Sequence, residues 1–104
     1  GTMMSQELMR LRTCLGKNPL AKDELVKACS HATEAFGNDN MERGITELIT
    51  IIEGILFLTH NLVAQKLLQG SLDGLKIWGM THPEYALLAL NILNEENLIS
   101  SGDF

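Results

Sequence analysis

Aromatic residues are scarce in this chain, with one Trp, one Tyr and three Phe among 104 residues. Whatever core it has must be built from aliphatic side chains. Cysteine is scarcer still: Cys14 and Cys29 are too few for a disulfide framework, and a cytoplasmic location is expected. The first residues lack the basic and apolar regions of a secretory signal. Gly1-Thr2-Met3 reads as a cloning remnant before a native methionine, so residues 1–4 are expected to be a disordered start and residues 100–104 a frayed tail. No run reaches the ~20 uninterrupted apolar residues that a bilayer span needs, so no membrane partner is expected. Internal repeats and low-complexity segments are absent.

Basic residues are missing from the second half. Residues 1–43 hold six basic and six acidic side chains. Residues 44–104 hold only Lys66 and Lys76 against seven acids, which places the whole net charge of −5 there. An acidic half repels phosphate backbones and suits a basic protein partner.

What the chain does contain is a folded-globule composition, 45% hydrophobic with 20% charged residues, in a length that supports a single core and a single domain. The stretch from Ile45 to Leu68 is its most apolar part. Read as a helix, it places Ile45, Leu48, Ile49, Ile52, Ile55, Leu56, Val63 and Leu67 on one broad face. A β-hairpin turning at Glu53-Gly54 is the rival reading, but neither arm alternates strictly as a half-buried strand should. The expected fold is therefore all-α: four main helices at about 5–15, 19–36, 41–69 and 82–96, plus a short one at 72–78.

Local signals place the ends. Ser5 is the candidate N-cap of the first helix, with Leu8, Leu11 and Leu15 as its stripe and Gly16 as its stop. Asn18-Pro19 opens the second, whose stripe runs through Ala21, Leu25, Cys29, Ala32 and Phe36 to Gly37. Asn38-Asp39-Asn40 offers caps for the central helix, and Gly70-Ser71 is expected to end it. Thr81 and Glu84 have capping-box spacing around Pro83. The predicted core comprises Leu8, Leu11, Leu25, Cys29, Phe36, Leu48, Ile52, Ile55, Leu56, Val63, Leu88 and Ile92.

The residues that carry chemistry form no recognisable site. Cys29 and His31 point about 200° apart on a helix and cannot share a metal. Glu53 and His60 share a face, but no second His-rich element completes a site. Both cysteines fall on or beside core stripes, where a thiol is an inert small hydrophobe. No nucleophile elbow, phosphate loop or dinucleotide fingerprint is present. No metal, no cofactor and no catalytic residue is expected. Residues 72–97 have the short-helix, turn, longer-helix layout of a helix-turn-helix, which makes a nucleic-acid-binding regulator the alternative function. Its would-be recognition helix lacks Arg and Lys altogether, so nucleic acid is the weaker expectation.

The favoured function is a non-enzymatic interaction or regulatory protein of adaptor, chaperone, anti-activator or immunity type. Phe57 lies on the otherwise polar strip of the central helix and Leu87 on the polar side of the last one, and large apolar residues in polar surroundings mark contact surfaces. The candidate interaction surface is Phe57, Glu53, His60, Asn61, Trp78 and Leu87. A homodimer through the central helix is also expected. A helix over 41–69 would be ~43 Å long at ~1.5 Å per residue, longer than the ~35 Å breadth of a compact chain of this size.

Overall fold

A computed structural model describes residues 2–17 and 21–95. Among the described residues it is all-helical: α1 (Thr2–Lys17), α2 (Asp23–Gly37), α3 (Met41–Leu58), α4 (Leu62–Trp78) and α5 (Glu84–Glu95). Each helix packs on its neighbours in sequence, and α5 returns to α1. None of the described helices is long and apolar enough to cross a membrane.

The narrow stripes of α1 and α2 behave as their spacing requires. Leu8, Leu11 and Leu15 are buried on α1, and Leu25, Ala28, Cys29, Ala32, Ala35 and Phe36 on α2. Their ends differ from expectation. Helix α1 already includes Thr2, so Ser5 lies inside it. Helix α2 begins at Asp23 after Lys22, which makes no side-chain cap, and its first turn is favoured instead by Asp23 and Glu24 at the positive end of the helix dipole. The Asn18-Pro19 start and the tail from residue 96 onward lie outside the described residues. Gly37 remains helical, and the left-handed conformation that follows is taken by Asp39 at φ 58°, a residue type that tolerates it. Asn40 then caps α3 by accepting from the Arg43 amide at 3.3 Å.

Helices α2 and α3 mesh through two glycines of α3. A Cβ at Gly44 would come within 2.6 Å of the Phe36 ring, and one at Gly54 would collide with the Leu25 side chain. Gly54 is therefore a notch for Leu25 within the unbroken helix α3.

The single long helix expected over 41–69 is two helices. The chain leaves the helical conformation at Thr59 (ψ 141°) and re-enters after Asn61, whose side chain accepts from the Ala64 amide at 3.1 Å. Thr59 is 5% exposed yet fully engaged. Its hydroxyl accepts from the Asn61 amide, and its carbonyl accepts from Gln65 Nε2 at 2.9 Å. Three non-helical residues reset the helical phase. Val63, expected in the core, is consequently exposed, and α4 buries Ala64, Leu68, Ser71, Leu72 and Leu75 instead. Gly70-Ser71 ends nothing; α4 runs through it to Trp78, so the separate short helix at 72–78 does not form.

The turn into α5 also departs from the capping box. Thr81 Oγ1 donates to the Trp78 carbonyl at 3.2 Å and closes α4, while Pro83 supplies the carbonyl that starts α5. Helix α5 buries Ala86, Ala89, Leu90 and Leu93. Leu88 is exposed rather than core, and Leu56 and Ile92 are only partly buried against it. On the edge of α5 that faces α1, the Asn94 side-chain amide donates to the Glu7 carbonyl and carboxylate at 3.1 and 2.9 Å. The chain measures 35 × 24 × 19 Å, and α3, 18 residues long, fits within it at about 27 Å. The overhang expected of a longer rod is absent.

Candidate interaction surface

Phe57 occupies the last turn of α3 directly opposite the buried row Leu48, Ile52 and Ile55. It is 92% exposed, the most exposed large apolar side chain among the described residues. A cleft opens on each side of it. Between α3 and α4 lies a space of about 640 Å³ bordered by Glu53, Leu56, Phe57, His60, Gln69 and Lys76, among others. On the α2 side a space of about 480 Å³ is bordered by Lys22, Glu24, Leu25, Gly54 and Leu58, with Phe57 again on its rim. Phe57 thus stands as a ridge between two concave, partly apolar surfaces.

Charge around the ridge is mixed. Lys76 Nζ lies 3.3 Å from Glu53 Oε1 and ties the α4 wall of the first cleft to α3. Both side chains are about half exposed, so the pair contributes at most about 1 kcal/mol, and either group is available to a partner. His60 sits at the open end, beside the Thr59–Asn61 break.

Of the six residues singled out from the sequence, Glu53, Phe57 and His60 border the same cleft. Asn61 adjoins them, but its side-chain oxygen is engaged in capping α4. Trp78 lies at the other end of α4 in an aromatic group of its own. Its ring meets His82 edge-on at 5.7 Å, His82 meets Tyr85 at 6.2 Å, and His82 Nδ1 is 3.1 Å from Glu84 Oε1. Leu87 is half-buried rather than exposed, on the same side of α5 as Asn94. Sequence reasoning missed Lys76, which a helical spacing on α3 alone does not reach, and the exposed Val63, Ile77 and Leu88, whose orientation depends on the break and on α5 docking.

The thiols are poorly placed for chemistry. Burial pushes Cys29 from an ordinary value of 9.0 up to about 12, against a smaller opposing pull from Arg12. Cys14 is raised as well, by burial, with Lys17 opposing. A thiol held protonated is a weak nucleophile and a weak metal ligand. Among the described residues, no group of three or more His, Cys, Asp or Glu is arranged to hold a metal ion. Comparison with known proteins gives no match to a family model, to a curated protein or to a solved structure.

Proposed function

We infer that this protein is a non-enzymatic interaction or regulatory protein that works in the cytoplasm by binding a protein partner, and that it self-associates as a homodimer. The observation that carries the reading is Phe57. Leaving an aromatic ring 92% exposed between two clefts is unfavourable for the isolated chain, and aromatic side chains of this kind are the usual anchors of protein interfaces. The acid excess of residues 44–104 fits a partner with basic surface around the pocket that receives the ring. Adaptor, chaperone, anti-activator and immunity proteins all act by such occlusion or escort.

A photo-crosslinking side chain installed in place of Phe57 tests this directly. In extracts of the source cells it is expected to trap a protein of basic surface character, whereas the same group at exposed Gln6 traps none. Equal cross-linking from both positions, or none from position 57, would sink the reading.

A further inference from the structure

The outward side of α4 carries an apolar stripe that no other described helix covers. Val63, Leu67, Gly70 and Ile77 fall on one face of α4. Contacts settle which face it is. Lys76 to Glu53 and Gln65 to Thr59 define the flank of α4 turned to α3, and Gly74 against the Tyr85 ring defines the flank turned to α5. Val63 and Ile77 lie between those flanks, away from the core, and each is 69% exposed. Trp78 at the end of α4 and Leu88 on α5 are each about half exposed. Gly70 sits at the centre. Among the described residues a Cβ there would meet nothing within 4 Å, so none of them calls for glycine, although glycine weakens a helix interior.

We propose that this face is where two copies of the chain associate, α4 packing antiparallel on α4 about a two-fold axis at Gly70. The proposal names the surface of the self-association inferred above and rests on that reading. Three features select a second copy as the occupant. The ends of the stripe are symmetric: Val63 and Ile77 stand seven residues either side of Gly70, so the axis sets Val63 against the partner's Ile77, the self-complementary pattern of a two-fold interface. The charges agree with the same axis. Lys66 and Asp73 are exposed on one flank of the stripe, Asp73 accepting a bond from Gln69. An antiparallel two-fold pairing keeps equivalent flanks together and sets Lys66 beside the partner's Asp73. The exposure agrees as well: Val63 and Ile77 are each 69% exposed and Leu67 is 45% exposed, so a second copy has apolar surface to bury. Gly70 at the crossing lets the two backbones approach.

Sedimentation equilibrium of the full chain at low micromolar concentration tests the proposal, with an expected species of twice 11.5 kDa. Gly70→Leu adds a side chain where the single chain has open space, so its far-ultraviolet circular dichroism stays helical while dimerisation weakens about tenfold or more. Lys66→Asp is expected to weaken the dimer about fivefold, since both symmetric pairs become repulsive. Adding Asp73→Lys to the same chain is expected to restore it. A parent chain that stays at 11.5 kDa overturns both this surface and the self-association reading. A parent dimer that Gly70→Leu and Lys66→Asp leave intact overturns this surface alone, and dissociation by Phe57→Glu in that case moves the interface to α3.

Discussion

Glycine means different things at different positions of this chain, and each meaning is measurable. At Gly44 the space for a side chain is taken by the Phe36 ring, which is buried and has little freedom to move. Gly44→Ala should therefore cost about 1–3 kcal/mol through overpacking, read as a lower midpoint in urea. Gly16, where a Cβ would meet nothing among the described residues, should show the opposite sign, a gain of about 0.5–1 kcal/mol on Gly16→Ala. If both substitutions move stability the same way, the close approach of α2 and α3 is wrong. Cys29 makes a pH prediction. Its folded value, about 12, lies above the ordinary 9.0. Stability from this group is fully present below pH 9 and is lost as pH rises from about 9 toward 12, because the unfolded chain releases the proton first. Cys29→Ala should flatten the alkaline fall in stability measured by urea unfolding across that window. An unchanged alkaline slope would remove Cys29 as its source.

At the scale of elements, the junction between α3 and α4 is the decisive local structure. Thr59, Asn61 and Gln65 satisfy one another's polar groups, so a chain that could have continued as helix is held open at three residues. Asn61→Ala removes the cap of α4 and should cost about 0.5–2 kcal/mol. Amide hydrogen exchange is expected to accelerate first at Ala64, whose amide loses its partner. Exchange that speeds up only at the far end of α4 would show that the cap does not hold this junction. The break also creates the clefts: a straight helix would carry residues 62–69 away from α3 rather than folding Gln65 and Gln69 back beside Phe57.

At the scale of the whole molecule, the helices form a closed circuit, with α5 joined to α1 through Asn94 and Glu7. Ile52 lies at its centre, fully buried on α3. Ile52→Ala is expected to cost about 2–5 kcal/mol, as truncations in a packed core do, and urea unfolding should report it as a shift in midpoint with little change in slope. A cost below about half a kcal/mol would contradict a close-packed core at this point. The 35 Å length of the chain accommodates α3 comfortably. The case for a dimer therefore rests on uncovered apolar surface and no longer on a protruding helix.

The sequence alone determined the helical class, the stripes Leu8–Leu11–Leu15 and Leu25–Cys29–Phe36, and the inward face Leu48–Ile52–Ile55. Each of these is a narrow apolar row on an otherwise polar helix, so the backbone's own period leaves one way to bury it. Phe57 was legible for the same reason, as a lone large apolar side chain opposite such a row. Where the apolar residues surround the helix, period gives no direction. Helix α5 has Leu87, Leu88, Leu90, Ile92 and Leu93 distributed around it, and only its docking on α1 and α4 turns Leu90 in and Leu88 out. The stretch from Ile45 to Leu68 hid its break because apolar residues continue across Thr59-His60-Asn61. Folding α4 back buries Leu68, Leu72 and Leu75 against the rest of the chain, which a straight rod could not do. That gain is tertiary, and it decided both the break and the surface it exposes.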